Sequence, residues 1–489
     1  MNDNLVELKN KTINGLFWRF GERITSQIIS FIVSVILARI LLPKEYGIVA
    51  LVTIFINLAD VLVTSGLGTS LVQKKNVDEL DFSTMTIASI ILSIILYGIL
   101  FIIAPVISII YNNELLTAVI RVMGIRIPIA AFNSIQQAYV QKKMIYKKFF
   151  YSTLIGTVIS AVVGIYMALN GYGVWALVGQ YLTTTIIGTI VLFVILDWKP
   201  KMRFSQERFK QLFNYGSKIM AAGFIGCLFD QLRGLIIGFK YSSEDLAFNN
   251  KGEQFPIMLY TNINSTLESV LFSSISMLQD DKKKLKEVIR KLMKTSSFVI
   301  MPVMFGLLGV ADNFVKILLT DKWILCVPFM RVVCVQECFA ILNTVNMQAI
   351  KAIGRSDTIL KLEFIKKPIY MSILLITMFI SPYAVCIGCC VYSLIALFIN
   401  SKPNKKYLNY TLQEQFSDTI IYIILSFLMS ILVMAVGKIQ MNIYLNLVMQ
   451  IIVGAMFYLI ISKILKLDSY KYIFNIIKER FCKKNDYNN

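Results

Sequence analysis

The chain of 489 residues contains no histidine, and charged residues make up only 16% of it. Without imidazole, the chain has no histidine to act as a general base, to bind zinc or haem, or to activate a nucleophile. Hydrophobic residues account for 56% of the sequence, whereas soluble proteins average about 45–50% apolar and about 25% charged residues. The composition therefore excludes a water-soluble fold and argues against histidine-dependent catalysis.

Two further kinds of site have no sequence signal. The phosphate-binding pattern G-x-x-x-x-G-K-[ST] does not occur, so we expect no direct use of ATP by this chain. The only close group of cysteines is Cys386, Cys389 and Cys390, which lies in an apolar stretch with no second ligand pair after it. Cysteines in such positions usually pack as small hydrophobic residues. We therefore expect no metal, no cofactor and no catalytic residue.

Apolar runs long enough to cross a bilayer recur along the whole chain. A spanning helix needs about 20 such residues, and this pattern predicts an all-α polytopic membrane protein with about 14 transmembrane helices. The predicted spans are residues 13–42, 47–67, 82–104, 115–139, 150–170, 174–196, 212–239, 246–276, 295–319, 325–350, 358–380, 383–400, 416–436 and 444–465.

Basic residues outside the spans fall in alternate loops. One set of loops carries clusters of lysine and arginine, whereas the other set carries only Lys44, Lys240, Lys316, Lys322 and Lys438. Because positively charged loops stay cytoplasmic, we expect both termini in the cytoplasm. The net charge of +20 is then a topology signal. Its dispersal over short loops argues against nucleic-acid binding.

Three cytoplasmic segments have apolar residues at helical spacing among basic ones. They are residues 204–213, 285–293 and 470–477. Amphipathic basic helices bind flat to an anionic inner leaflet, and we expect that placement for all three segments.

A weak internal repeat relates two halves of the chain. Arg121 begins a segment that reaches Asn133, and Arg331 begins a similar one that reaches Asn343. Six spans separate the two, so both halves have the same orientation. Parallel repeats are typical of transporters that bind substrate between the halves. We predict two parallel six-helix lobes around a central cavity, over 1–200 and 201–405, two C-terminal helices over 406–466 and a cytoplasmic amphipathic tail over 467–489.

Ionisable residues lie within several predicted spans, chiefly the first, second, seventh and eighth. Such residues are costly in a bilayer and usually face a wet cavity. The cations that we expect to line a substrate cavity are Arg19, Arg23, Lys218, Arg233 and Lys251. The carboxylates that could line the same cavity or bind a coupling ion are Glu22, Asp60, Asp230, Glu253 and Glu268.

A purely structural role is the alternative for these charges. Arg19 could pair with Glu22, and Asp230 with Arg233, and long side chains near span ends can extend to the interface. We favour that role for Arg39, Arg121, Arg126, Lys366 and Lys367. Near the five cations expected in the cavity, the carboxylates are fewer than the cations. The guanidinium fork of arginine also suits phosphate. A net-cationic cavity for a large anionic substrate is therefore the functional hypothesis.

Several stretches of the sequence resemble those of a known family. They include ARILLPKEYG at 38–47, GLGTSLVQK at 66–74, GYGVWALV at 171–178 and KGEQFP at 251–256. In these stretches the chain resembles the bacterial polysaccharide flippases of the multidrug/oligosaccharidyl-lipid/polysaccharide exporter superfamily. The likeness extends over residues 10–365, and the last third of the chain resembles the family by its number of spans.

The resemblance implies a function and a partner. The substrate would be an undecaprenyl-diphosphate-linked oligosaccharide, moved from the inner to the outer leaflet by alternating access for the assembly of O-antigen, capsule or exopolysaccharide. Polysaccharide polymerase machinery would be a further partner. The alternatives are a cation-coupled multidrug or toxin antiporter of the same superfamily and, from other classes, a membrane-embedded polysaccharide-assembly enzyme or a scaffold.

Overall fold

The computed structural model describes the backbone of residues 2–276 and 281–475, and the side chains of residues 14, 15, 17–265 and 281–475. Every secondary-structure element in these ranges is a helix. The chain packs as two compact units, Met1–Ala247 and Phe248–Asn489.

The first unit contains nine helices and the start of a tenth within the described residues. They are α1 (Asn2–Ile40), α2 (Pro43–Thr64), α3 (Leu67–Gln73), α4 (Glu79–Ile110), α5 (Leu115–Gly124), α6 (Arg126–Lys143), α7 (Tyr146–Leu169), α8 (Val174–Ile195), α9 (Gln206–Lys240) and α10 (Ser243–Ser276).

The second unit contains the rest of α10 and six further helices. These are α11 (Lys282–Leu319), α12 (Val327–Ala352), α13 (Ser356–Thr377), α14 (Pro382–Leu408), α15 (Leu412–Gly437) and α16 (Ile443–Ile464). A short 3₁₀ helix, Asp321–Cys326, leads into α12.

Each predicted span falls on a helix or on consecutive helices. Span 115–139 is divided into α5 and α6 at Ile125, and span 47–67 continues from α2 into α3. Among the described residues, twelve helical segments are long and apolar enough to cross a membrane, and α10 and α13 are not among them. Lys251 and Glu253 interrupt the apolar run of α10, and Glu363, Lys366 and Lys367 interrupt that of α13. The prediction of an all-α, multi-pass membrane protein is confirmed.

In the first unit, α2 and Gly66 just after it pack at very close range against α9 and the first residue of α10. A Cβ atom on Gly66 would overlap the carbonyl oxygen of Gly216, and one on Gly47 would overlap the carbonyl oxygen of Ser243. A Cβ atom on Gly238 would likewise overlap the side chain of Leu51. Small residues let membrane helices approach this closely and gain van der Waals contact. Residues later in α2 contact residues earlier in α9, so the two helices are antiparallel.

The prediction that residues 204–213 form a flat surface helix is wrong. Residues from Gln206 onward are the first turns of α9. Phe209 and Phe213 stack with ring centroids 5.0 Å apart and pack on a core that includes Trp198. Arg208 extends the attachment to the start of α4, because its guanidinium lies 3.4 Å from the fully buried carboxylate of Asp81.

Residues 285–293 also differ from the prediction, since they belong to the continuous helix α11. Their apolar side chains at Leu285, Ile289 and Met293 are fully buried within the second unit. Two of their basic side chains face acidic partners on α15. Lys286 lies 2.8 Å from Glu414, and Arg290 lies 2.8 Å from Asp418. The amphipathic pattern therefore reflects packing between two helices, because both its apolar and its charged faces have protein partners.

The described part of the predicted tail packs on the same end of the second unit. Residues 468–475 are helical. The hydroxyls of Ser469 and Tyr422 are hydrogen-bonded at 2.9 Å, and the ammonium of Lys291 lies 3.7 Å from the centre of the Tyr472 ring. Residues 476–489, including Ile477 of the predicted amphipathic segment, lie outside the described residues.

The two units contain similar asparagine contacts, in agreement with the repeat in the sequence. In the first unit, Asn133 on α6 donates to the hydroxyl of Thr189 on α8 at 3.1 Å. In the second, Asn400 on α14 donates to the amide oxygen of Asn343 on α12 at 2.8 Å. Asn133 and Asn343 are the residues that the repeat pairs.

Candidate functional site

A polar cavity of about 530 Å³ lies inside the first unit, among α2, α3, α6, α7 and α8. Hydroxyl and amide side chains form most of its wall. The polar lining residues are Asp60, Thr64, Thr69, Arg126, Asn133, Ser134, Gln137, Gln141, Ser152, Thr153, Thr184 and Thr185. Because these helices are apolar enough to span a membrane, the cavity is a hydrophilic space at membrane depth.

The two charged side chains of the cavity form an ion pair. Arg126 Nη2 lies 3.3 Å from Asp60 Oδ2, and the side chains are 25% and 14% exposed. Among the residues that the structure describes, Asp60 Oδ1 and Arg126 Nε are buried and have no hydrogen-bond partner. Buried polar atoms in native proteins are normally hydrogen-bonded. The hydrogen-bonding capacity of these two atoms is therefore unused among the described residues.

The polar residues from α6 occupy one face of that helix. Arg126, Asn133, Gln137 and Gln141 follow one another at spacings of seven, four and four residues, which places them on one side of an α-helix. Gln137 Nε2 donates to Asn133 Oδ1 at 2.5 Å. Asn133 in turn donates to Thr189. Amides held in this way present donors and acceptors that match sugar hydroxyls.

The charges of α1 reach the border of the same cavity. The Glu22 carboxylate lies beside Thr153, which lines the cavity. Arg19 and Arg23 flank Glu22 on α1, and both side chains are exposed on the surface of the unit. The guanidinium of Arg19 also lies 5.7 Å from the ring centre of Phe149, another lining residue. Arg19, Glu22 and Asp60 thus converge on one region.

The predicted site residues of α9 lie apart from this cavity. Lys218 is exposed, and it is two residues from Gly216, so it points away from the face of α9 that packs on α2. Asp230 is exposed and Arg233 is half-buried farther along the helix. None of the three is among the described residues that line the cavity.

In the second unit, Lys251 lies in the interior. Its side chain is buried, its Nζ donates to Gln254 Oε1 at 3.0 Å, and it lies 5.7 Å from the centre of the Trp323 ring. Glu253 is half-buried on the same helix. Glu268 lies outside the residues whose side chains the structure describes.

Arg126, Asn133 and Gln137 are the cavity residues that the sequence reasoning missed. Arg126 was interpreted as structural because it lies near a predicted span end, and the ion pair with Asp60 is consistent with that role. The polar stripe of α6 was a readable signal, since residues 126, 133, 137 and 141 repeat at helical spacing within an apolar segment.

The chain aligns with two curated relatives over more than two thirds of the length of each. The chain is 24% identical over 388 residues to an uncharacterized membrane protein in the cps region of Klebsiella pneumoniae, covering 76% of this chain and 77% of that protein. It is 23% identical over 338 residues to the lipopolysaccharide biosynthesis protein WzxC of Escherichia coli K12, covering 68% of each.

Solved structures of similar fold and a matching family model identify the fold and the family of the chain. The chain is similar to the lipid II flippase MurJ in an inward closed conformation, with a TM-score of 0.72, 16% identity, and coverage of 93% of this chain and 98% of MurJ. It is also similar to a multidrug resistance MATE family transporter of the MOP superfamily, with a TM-score of 0.59, 14% identity, and coverage of 78% and 94%. Its fold is that of these transporters. The model of the polysaccharide biosynthesis protein family matches residues 36–328, which contain both Asp60 and Arg126, and the chain belongs to that family.

Proposed function

We propose that this protein is a flippase that moves an undecaprenyl-diphosphate-linked oligosaccharide from the inner to the outer leaflet of the bacterial cytoplasmic membrane, by alternating access. The observation that carries the proposal is the hydrophilic cavity at membrane depth in the first unit, built around Asp60 and Arg126. Sugars and phosphates are expelled by hydrocarbon, so their passage needs such a space within the protein while the polyprenyl tail stays in lipid.

Family membership and the relatives support surface polysaccharide assembly as the process. Besides WzxC, the chain is 22% identical over 304 residues to the teichuronic acid biosynthesis protein TuaB of Bacillus subtilis 168. These names describe anionic or lipid-linked glycans made at the cell envelope. Such a role implies polysaccharide polymerase machinery as a partner and both termini in the cytoplasm.

Within this function, each class of predicted residue has its own role. The amides and hydroxyls of α6 and its neighbours bind saccharide hydroxyls in the cavity. Arginine and lysine bind the diphosphate through charge-assisted hydrogen bonds, and the carboxylates bind the coupling ion. The cations are Arg19, Arg23, Lys218, Arg233 and Lys251, and the carboxylates are Glu22, Asp60, Asp230, Glu253 and Glu268. The two lobes of the sequence repeat, 1–200 and 201–405, are the elements that alternate.

The test compares surface polysaccharide in cells that depend on single variants. Arg23→Ala, Arg126→Ala and Arg233→Ala should each lower polymer at the surface at least about tenfold, the effect of one lost charge-assisted hydrogen bond to phosphate or sugar. The amount of Arg23→Ala and of Arg233→Ala in the membrane should be unchanged. Polymer made with Arg126→Ala is compared per amount of protein in the membrane, because that substitution also breaks the ion pair with Asp60. Lys438→Ala, which removes an exposed cation outside the predicted spans, serves as the control and should leave the polymer at the wild-type level. Normal polymer in all three variants would refute the proposal. Normal polymer together with increased drug sensitivity would indicate an antiporter.

A further inference from the structure

An apolar groove of about 560 Å³ opens in the second unit between α14 and α15, with α12 behind it. Leu394, Leu397 and Phe398 form its wall on α14, and Leu412 and Phe416 form its wall on α15. This volume lies within the range of about 300–1,000 Å³ that is typical of ligand cavities. Phe398 and Phe416 are 49% and 58% exposed, so the groove is open at the surface of the unit.

Two of the four polar residues of the groove, Gln415 and Thr419, direct hydrogen bonds away from it, and nearly all of the surface that the groove exposes is apolar. The Gln415 amide oxygen accepts from Asn346 on α12 at 2.9 Å. The Thr419 hydroxyl donates to the backbone oxygen of Gln415 at 2.8 Å. What remains for an occupant is a surface of leucine and phenylalanine side chains, which suits a hydrocarbon chain better than a sugar or a peptide.

Two lysines continue the same face of α14 beyond the groove. Leu394, Phe398, Lys402 and Lys405 follow at spacings of four, four and three residues, and therefore share one side of the helix. Lys402 and Lys405 are exposed and lie one and two turns nearer the end of α14 that is predicted to be cytoplasmic. An apolar slot that leads to two exposed cations is complementary to a lipid with an anionic headgroup.

We propose that this groove is a binding site for an anionic membrane phospholipid, with one acyl chain between α14 and α15 and the phosphate at Lys402 and Lys405. The site lies in the second unit and contains none of the charged residues assigned to transport. It therefore goes beyond the proposed flippase activity, and its test requires no polysaccharide.

The experiment measures lipid retention by the full-length protein in detergent, by native mass spectrometry with added phosphatidylglycerol or phosphatidylcholine. We expect the wild-type protein to bind phosphatidylglycerol more tightly. Lys402→Gln and Lys405→Gln should each weaken that binding about fivefold, the effect of one lysine at an anionic surface, and should leave phosphatidylcholine unaffected. Leu397→Trp should fill the groove and reduce the binding of both lipids.

Matched controls keep the test decisive. Ile431→Trp adds the same bulk to an exposed position of α15 outside the groove, and Lys438→Gln removes an exposed cation elsewhere; both should bind lipid as the wild type does. Because Lys402 and Lys405 are exposed, their variants test the proposal even if Leu397→Trp does not fold. Unchanged phosphatidylglycerol binding in the two lysine variants would overturn the proposal. So would displacement of phosphatidylglycerol by equimolar undecaprenyl phosphate, which would make the groove an isoprenoid site.

Discussion

Asp60 on α2 and Arg126 on α6 form an ion pair at 3.3 Å inside the polar cavity of the first unit. Each residue retains a buried polar atom that has no hydrogen-bond partner among the described residues. The pair therefore joins two helices and leaves one acceptor and one donor without a partner among the described residues.

Breaking this pair from one side should destabilise the protein more than removing both charges. Asp60→Asn or Arg126→Gln leaves a charge without its partner at membrane depth, and we expect each to lower the free energy of unfolding by about 1–3 kcal/mol. The double variant should be more stable than either single one, because no isolated charge remains. Thermal unfolding of the purified proteins in detergent measures all three differences.

The same three variants separate structure from transport. If the pair also binds substrate, the double variant should regain stability without regaining surface polysaccharide. A double variant that is no more stable than the single ones would show that the two charges are not coupled.

Glycine-to-alanine substitutions should lower stability at the close contacts at the two ends of α2 and not at glycines that face open space. Gly66→Ala and Gly47→Ala would each place a methyl group on a carbonyl oxygen of the facing backbone, so we expect a loss of about 1–3 kcal/mol in stability. Gly98→Ala and Gly226→Ala are the controls, since a Cβ atom at either position meets nothing within 4 Å. Yield and thermal unfolding of the four variants test this prediction, and equal losses at all four positions would contradict it.

Asp418 should be the acidic residue whose loss weakens the second unit most clearly. Its side chain is only 4% exposed, accepts two hydrogen bonds of 2.8 Å from Arg290 and accepts another from Tyr410 at 2.9 Å. Hydrogen bonds to charged groups contribute about 1.5–3 kcal/mol each, and we expect Asp418→Asn to lower stability by about that amount. The matched control is Asp321→Asn, because that carboxylate is 87% exposed and lies 3.9 Å from Lys316. Equal melting temperatures for the two variants would contradict the prediction.

The sequence was sufficient for the helices and insufficient for their side-chain partners. Apolar runs located every span because the bilayer sets their length. The basic pattern at 285–293 was interpreted as lipid-facing because its partners on α15 are about 130 residues away and periodicity contains no information about them. For the same reason the sequence could not show that Lys251 packs beside Trp323, and its expected place in a substrate cavity stays a prediction.

The candidate site was likewise predictable from the sequence only in part. Asp60 was identified because a carboxylate in an apolar span is conspicuous. Arg126 was not, since only the tertiary fold shows that it meets Asp60, although the amide stripe that follows it on α6 could have been recognised from spacing alone. The charges of α1 and α9 stay predictions whose roles depend on the transport assays.

The ion pairs between α11 and α15 have a consequence for biosynthesis. Lys286 and Arg290 emerge from the ribosome long before Glu414 and Asp418, because the two groups are 128 residues apart in the chain. While α11 inserts, these cations have not yet met those carboxylates and can retain their end of the helix on the side that the loop charges predict to be cytoplasmic. When α15 arrives, the same cations are neutralised. The same cations therefore first orient α11 during insertion and then bind it to α15. To invert α11 after assembly, these ion pairs would have to be broken.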